Sequence, residues 1–250
     1  SFPTRRSSDL NISFMSSTPI ISGFGSYTIS KPFYLSEPDR VVFDIPNTIV
    51  NSALHNREFP FGTNGENIKI GQFNRDTARV VITSNNADKY TPVVYSDTQK
   101  IAFADPKNIL SSNLYSSLVT FSGIRYEKND ENSASAKLLF SGPLVFGINR
   151  TQKDLSVVLY NVSDFSGVNI DSEFVNTPFE KVKMTAAKNS PLIIKFPADN
   201  GDIFDIHIGS DGKTLRIRQK FALKSVKEET KLETPDIVIP IFVNREKGKR

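Results

Sequence analysis

The chain repeats its own apolar pattern at a spacing of about 115 residues. A repeat of this length keeps its buried positions while its surface diverges, so it predicts two tandem domains with the same fold. Small differences between the offsets are expected where matched strands are joined by loops of different length. The matched segments are Val41-Val42 with Val157-Val158 at an offset of 116 residues, Ile68–Ile70 with Val182–Met184 at 114, Val80-Val81 with Ile193-Ile194 at 113, and Ile101 with Leu215 at 114.

The spacing of apolar runs predicts an all-β fold. Short runs of Val, Ile, Phe and Tyr are separated, every eight to twelve residues, by Asn, Asp, Gly, Ser and Pro, which is typical of sandwiches and barrels. No window has a sustained helical period. A chain of 250 residues is long enough for two small domains that each bury a core. We therefore predict two tandem small β-sandwich domains of short, mainly antiparallel strands.

Local composition predicts where these domains begin and end. The first ten residues, SFPTRRSSDL, match the translation of a common sequencing adapter, so we expect the native chain to begin near Asn11 and a signal peptide to lie upstream. The Ser- and Asn-rich stretch from Asp105 to Ser117 predicts a linker, and Pro240 makes Ile237–Val243 an expected edge strand. The predicted organisation is an artefact at 1–10, a β domain at 11–105, a linker at 106–117, a diverged β domain at 118–220 and a charged tail at 221–250.

Charge and composition exclude several classes of function. The net charge of +4 comes from the two ends, because residues 1–10 contribute +1 and residues 245–250 contribute +3, which leaves residues 11–244 neutral. A neutral body argues against a nucleic-acid-binding face. The absence of cysteine excludes disulfides and thiolate metal sites. No apolar run approaches the roughly 20 residues that span a bilayer.

Three short motifs in the first repeat resemble one known family. They are Leu-Ser-x-Pro-x-Arg-Val-Val-x-Asp at Leu35–Asp44, Ile-x-Ile-Gly-Gln-Phe at Ile68–Phe73 and Arg-Val-Val-Ile at Arg79–Ile82. The pattern resembles the AMIN domain, a small all-β module found on cell-wall amidases, on type IV pilus secretins and in standalone envelope proteins. The resemblance implies targeting to the bacterial cell wall, with peptidoglycan as the partner and with no chemistry and no cofactor.

Strand alternation indicates which side chains of the first repeat are available to a ligand. In Arg40–Ile45, Val41, Phe43 and Ile45 share the expected core face, which leaves Arg40 and Asp44 on the other face. Gly71, where the alternation of the next strand slips, indicates a β-bulge. Peptidoglycan offers carboxylates, amides and hydroxyls, which Arg, Asp and Gln side chains recognise. The predicted peptidoglycan contacts are Arg40, Asp44, Gln72, Arg75 and Arg79, with Tyr34 as an aromatic candidate. The alternative is that these arginines and this aspartate only form surface ion pairs.

The second repeat keeps the apolar positions and loses the polar ones. At the aligned offsets, small or apolar residues replace the residues that carry the resemblance. We therefore assign binding to residues 11–105 and interpret residues 118–220 as a spacer, a partner surface or a second site of different specificity. The replacements are Ser156 for Arg40, Tyr160 for Asp44, Thr185 for Gly71, Ala186 for Gln72 and Leu192 for Arg79.

No catalytic constellation is visible in the chain. A zinc amidase needs several His and Glu ligands, and the chain has only His55 and His207 and no cysteine. There is no G-x-S-x-G elbow, no phosphate-binding loop and no dinucleotide fingerprint. The sequence therefore predicts a non-catalytic protein without a metal site.

Three hypotheses about function follow. The first is a periplasmic, cell-envelope protein whose AMIN-like domain binds or localises to peptidoglycan, with other envelope, divisome or pilus proteins as further partners. The second is the N-terminal targeting region of a larger N-acetylmuramoyl-L-alanine amidase or secretin that continues beyond residue 250. The third is a structural β-domain protein that has no affinity for glycan.

Overall fold

A computed structural model describes residues 10–25, 27, 29, 32–105, 108, 117–187 and 190–222. They form three β-sheets in which every pairing but one is antiparallel. The predicted all-β fold of short, mainly antiparallel strands is therefore confirmed. The first nine residues, most of the predicted linker, and the tail beyond residue 222 with its predicted strand at Ile237–Val243 lie outside the described residues. Leu10, assigned to the segment predicted to be an artefact, is fully buried in the core.

Nine strands make up the first half of the fold. A 3₁₀ turn, Ala87–Lys89, precedes the last hairpin. The strands are β1 (Asn11–Met15), β2 (Thr18–Ser22), β3 (Phe33–Leu35), β4 (Arg40–Pro46), β5 (Arg57–Phe61), β6 (Glu66–Asn74), β7 (Thr77–Thr83), β8 (Thr91–Tyr95) and β9 (Lys100–Ala104).

Nine further strands and a short helix, α1 (Ile170–Phe174), make up the second half. Asn169 caps α1 by accepting a hydrogen bond from the Ser172 amide, at 3.1 Å. The strands are β10 (Val119–Asp130), β11 (Ser133–Phe140), β12 (Val145–Arg150), β13 (Asp154–Leu159), β14 (Val162–Asp164), β15 (Lys183–Thr185), β16 (Leu192–Pro197), β17 (Ile203–Ile208) and β18 (Thr214–Lys220).

The first half is a sandwich of two sheet layers. One layer has the strand order β3-β4-β7-β6-β5, and the other has the order β1-β2-β9-β8. The inward side chains of the two layers meet in the core, where the rings of Phe43 and Phe103 lie 5.2 Å apart. Val41, Phe43 and Ile45 are fully buried, as the alternation of β4 predicts.

The second half repeats most of this arrangement, although no described strand takes the place of β5. Its layer β10-β11-β18-β17, extended by β14, corresponds to β1-β2-β9-β8, and its layer β12-β13-β16-β15 corresponds to β3-β4-β7-β6. Phe179 joins α1 to the core, because its ring contacts Phe174 at 5.4 Å and Phe196 at 5.6 Å. The repeat seen in the sequence is therefore also a repeat of topology.

One of the sequence offsets is wrong by one residue. An offset of 113 matches Val80 with Ile193. Val80 is fully buried and faces the core, whereas Ile193 is half-buried and faces outward; its neighbour Ile194 is the fully buried residue. Val157 pairs with Ile194 as Val41 pairs with Ile82. Ile82 therefore corresponds to Ile194. A slip of one residue turns every side chain of a strand to the other face, which is why register decides the match.

The two halves share an eight-stranded sheet. Strand β8 of the first half pairs antiparallel with β12 of the second, with Tyr95 opposite Val145 and Val94 opposite Phe146. The buried Ser96 closes this junction, because its hydroxyl accepts a hydrogen bond from the Leu144 amide and donates one to the Gly212 carbonyl, both at 2.6 Å. The two sandwiches are thus joined by backbone hydrogen bonds as well as by the chain.

A second apolar cluster lies across this junction, on the face of the shared sheet that is turned away from the main core. It draws on both halves, so its burial adds to the backbone pairing. Its members are Ile20, Val93, Tyr95, Ala102, Ala104, Val145 and Tyr160, with Val158 packed against them.

Replacing Ser96 by Ala should destabilise the protein by about 1–3 kcal/mol, because the buried Leu144 amide would lose its acceptor. Urea denaturation measures the change. Ser210→Ala is the matched control: Ser210 occupies the same turn position in the second half but is exposed. Equal stability of the two variants would contradict the closing role of Ser96.

Stability should also fall at alkaline pH. Burial raises the pKa of both Tyr95 and Tyr160 to about 12, and the charge of Asp97 adds to the effect on Tyr95. Because the folded state holds these protons more tightly, their contribution to stability is complete below the unfolded-state pKa of about 10 and is lost as the pH rises towards 12. Chemical denaturation across this range measures the loss, which should be smaller in Tyr160→Phe. Phenolate absorbance that shows every tyrosine of the folded protein titrating near the ordinary value would contradict it.

Candidate functional site

The outer face of the β3-β4-β7-β6-β5 layer carries three of the six predicted contacts, Arg40, Asp44 and Arg79. Asp44 on β4 lies opposite Arg79 on β7, which lies opposite Gly71 on β6. Arg40 lies further along β4 with the same orientation, since positions four apart on a strand share a face. Val42, between Arg40 and Asp44, is buried although it belongs to this face. The face is therefore a partly apolar surface with charged groups around it.

Arg79 and Asp44 form a two-point ion pair at the centre of this face. The Arg79 Nε lies 2.7 Å from Asp44 Oδ1, and its second guanidinium nitrogen lies 2.8 Å from Oδ2. The side chains keep 28% and 19% of their exposure. The hydrogen bond to Asp44 raises the pKa of Arg79 further above its ordinary value, against the opposing effect of burial. The guanidinium is therefore always charged and fixed in orientation.

Two phenylalanine rings flank the Arg79 guanidinium. Its carbon lies 3.5 Å from the centre of the Phe73 ring and 5.2 Å from that of Phe33, within the range of cation–π contacts. Phe73 is 53% exposed and Phe33 39% exposed. Both rings are therefore held by a fixed cation and still present surface to a ligand.

Phe73 lies on this face at a β-bulge. The register between β6 and β7 shifts between Gln72 and Asn74, so the bulge lies at Phe73, two residues beyond the glycine at which the sequence placed it. The slipped phase of Phe73 in the sequence was the signal that this ring leaves the core. The outward position of Phe33 was harder to predict from the sequence, because β3 has only three residues and so shows little alternation.

The positive charge of Arg40 is available to a ligand. Its Nε donates a hydrogen bond to the Pro38 carbonyl at 3.2 Å, and no carboxylate pairs with it among the described residues. Arg75 is exposed in the turn between β6 and β7 and has no ion-pair partner in the part of the chain that the structure describes. Both can therefore bind a carboxylate without breaking an existing pair.

Gln72 lies on the opposite face, with Ala78 and Ile45 in its row. Its oxygen accepts a hydrogen bond from the Val50 amide at 2.7 Å. Its nitrogen lies within hydrogen-bonding distance of three carbonyls, those of Thr48 at 3.2 Å, Asn74 at 2.7 Å and Thr77 at 3.0 Å. Gln72, which the sequence predicted to contact a ligand, therefore uses its amide to bind the loop after β4 to the end of β6.

Tyr34 is also turned away from Arg79. It is paired with the buried Val41, and residues directly opposite on neighbouring strands share a face. Its ring is 55% exposed because β3 is the edge strand. The structure therefore brings Arg40, Asp44 and Arg79 together on one face, adds Phe33 and Phe73, and places Gln72 and Tyr34 on the other.

Among the described residues of the second half, no ion pair takes the place of Arg79 and Asp44. Leu192 was aligned with Arg79, but Leu192 is buried and paired with Leu159, so it faces the core. By the corrected offset Pro191 takes the place of Arg79, and Tyr160 takes that of Asp44. Both lie just beyond the pairing of β13 with β16, which ends at Leu159 and Leu192. Tyr160 is buried in the apolar cluster at the junction.

A cleft of about 640 Å³ opens at one end of the first sandwich. Its lining includes Glu66, Lys89 and Tyr90, and none of the predicted contact residues. Hydrogen bonds from the backbone amides of Asn64 and Glu66 lower the pKa of the Glu66 carboxyl, which is thus already committed to its own turn. Within the described ranges no three His, Asp or Glu side chains gather as a metal site.

Comparison with known families and proteins gives one match. The family model of the AMIN domain matches residues 18–106, which include β2–β9 and the face described above. The search of curated proteins found no match to the chain. None of the helices in the described part of the chain has the length and apolarity that crossing a membrane requires.

Replacing Gln72 by Leu, which keeps the size of the side chain, should lower the free energy of unfolding by about 2 kcal/mol, because buried partners would lose their hydrogen bonds. Arg75→Gln, in the adjoining turn, should change it by less than about 0.5 kcal/mol. Urea denaturation of both variants measures the difference. Unchanged stability of the Gln72→Leu variant would contradict this structural role, and Gln72 would again be a candidate ligand contact.

Proposed function

We propose, from the AMIN domain that residues 18–106 form, that this protein binds peptidoglycan through the outer face of the β3-β4-β7-β6-β5 layer. AMIN domains are non-catalytic targeting domains associated with peptidoglycan and with cell-envelope proteins. The observation that carries the proposal is the guanidinium of Arg79, fixed by Asp44 between two exposed rings and on the same face as Arg40.

The chemistry of this face fits the polymer. Peptidoglycan consists of glycan strands, whose sugars have apolar ring faces and hydroxyls, and of attached stem peptides that carry carboxylates. The exposed rings of Phe33 and Phe73 suit the apolar faces of sugars. Arg40 suits a peptide carboxylate, because a guanidinium binds carboxylates through parallel hydrogen bonds.

The residues divide into contacts and support. Arg79 and Asp44 satisfy each other, so a ligand carboxylate that displaced Asp44 would leave that aspartate without its cation. We therefore assign to this pair the role of holding Phe73 and Phe33 in place. Arg40, Phe33 and Phe73 are the groups that touch the polymer. Arg75, exposed beside Phe73 in sequence, is a further contact for negative charge.

The same proposal places the protein in the bacterial periplasm, at the cell wall, as a localisation module without catalysis of its own. The second half, which lacks the ion pair, takes no part in this binding. Its role is to present a partner surface at a fixed position relative to the wall-binding face.

Co-sedimentation of the full chain with purified peptidoglycan sacculi tests the proposal. Wild type should pellet saturably. Arg40→Ala should weaken binding about tenfold, since a hydrogen bond to a charged group contributes about 1.5–3 kcal/mol. Phe73→Ala should also weaken it, and raised salt should reduce the contribution of Arg40 but not that of Phe73.

Matched controls come from the second half. Arg216→Ala removes a half-buried strand arginine that pairs with Glu127 at 2.8 Å, and Ile203→Ala removes an exposed apolar side chain. Both should leave pelleting unchanged, and circular dichroism verifies that every variant is folded. Wild type that does not pellet at either salt concentration, or controls that lose binding as strongly as Arg40→Ala, would overturn the proposal.

A further inference from the structure

A row of basic side chains crosses the outer face of the β10-β11-β18-β17 layer. Arg125 on β10 lies opposite Lys137 on β11. Arg216 on β18 lies on the other side of Lys137, and His207 on β17 follows it. Residues directly opposite on neighbouring strands share a face, and this face is outward because Ala136, the neighbour of Lys137 along β11, is fully buried. We call these four residues the basic row.

The basic row costs the folded protein stability. Like charges directly opposite on neighbouring strands repel, and Lys137 has an arginine on either side. Arg216 relieves part of the repulsion through an ion pair with Glu127 at 2.8 Å. Arg125, Lys137 and His207 form no ion pair with any described residue. A local arrangement that lowers stability is expected at a functional site, where a ligand supplies the missing negative charge.

The basic row is accessible to a ligand. Arg125 and His207 are exposed, and Lys137 is half-buried. On one side it borders Gly123, which lies opposite the half-buried Leu139. Apart from its chain neighbours, no described atom lies within 4 Å of the position that a Cβ on Gly123 would take. The basic row therefore adjoins a low, open strip of the sheet.

Negative charge on the other side confines the basic row to a line. The adjoining outward row has Glu127 on β10 and Asp205 on β17 at its ends. Arg218, between them, pairs with Asp130 at 3.4 Å. A planar anionic membrane would bring its negative charge against both acids of the adjoining row. A chain that lies along the basic row avoids them, so the face fits a linear polyanion.

The spacing of the strands indicates how densely charged this polyanion is. Neighbouring strands lie about 4.8 Å apart, so the basic row is about 14 Å long. An extended acidic peptide presents carboxylates on one side only at every second residue, about 6.6 Å apart, and cannot match successive strands. Directly linked phosphates lie closer together, and both arginine and lysine bind phosphate. The basic row contains no Phe, Tyr or Trp on which nucleic-acid bases would stack.

We propose that the basic row binds a linear chain of directly linked phosphates, which lies across the strands of the second sandwich. Arg125 and Lys137 supply the positive charge that holds the chain, and His207 adds a ring N–H donor at the β17 end. Arg216 stays paired with Glu127. The basic row and the proposed peptidoglycan face lie on different sandwiches, so each site can be lost without the other.

Calorimetric titration of the full chain with inorganic polyphosphate, at several salt concentrations, tests the proposal. Wild type should bind saturably at low salt. Lys137→Gln should weaken binding about tenfold and lower the slope of log affinity against log salt by about one, because one ionic contact is lost. Arg125→Gln should have the same effect. Lys153→Gln, which removes an exposed lysine from the turn before β13, is the matched control and should change neither quantity.

Urea denaturation of the free protein gives an independent readout. Because Lys137→Gln removes a cation from between two others, the midpoint should rise at low salt, and salt should reduce the gain by screening. A fall in this midpoint would overturn the proposal. Absence of polyphosphate binding at low salt, or binding that survives in the Arg125→Gln/Lys137→Gln double variant, would overturn it too. So would polyglutamate of equal charge, or vesicles of phosphatidylglycerol, that bind as tightly as polyphosphate.

Discussion

The antiparallel pairing of β8 with β12 is the constraint from which the rest of the architecture follows. A sheet edge exposes backbone groups that need partners. The two sandwiches supply complementary edges, and the chain satisfies one with the other. Ser96 completes the arrangement by satisfying the Leu144 amide at the point where the ladder stops. The two halves thus gain a common sheet and a second apolar cluster that neither has alone.

The candidate ligand face depends on the same alternation that builds the core. In β4 and β7 one set of side chains fills the sandwich and the other set forms the surface around Asp44 and Arg79. Because the ion pair is complete before any ligand arrives, the two flanking rings are already in position. A preformed surface of this kind loses little conformational entropy on binding.

Local pattern was sufficient for part of this picture and insufficient for the rest. Period-two alternation predicted the buried positions of β4 and the outward direction of Asp44 and Arg79. It failed for Gln72, because the face that a residue occupies does not show whether its amide is used by a loop from elsewhere in the chain. It also failed for the Val80–Ile193 match, because an error of one residue in the alignment exchanges the inward and outward side chains of a strand. The β8–β12 pairing joins strands far apart in sequence through backbone groups, which leave no mark in residue types.

Surface turns ordinarily tolerate inserted residues, since little depends on their length. The turn that begins at Ser96 is different, because its first residue reaches both the loop before β12 and the turn after β17. A lengthened turn would leave β8 and β9 paired and yet carry the Ser96 hydroxyl away from its two partners. Variation in length is therefore restricted at this turn, and also at the turn that begins at Ser210, because the Gly212 carbonyl within it accepts the hydrogen bond from Ser96.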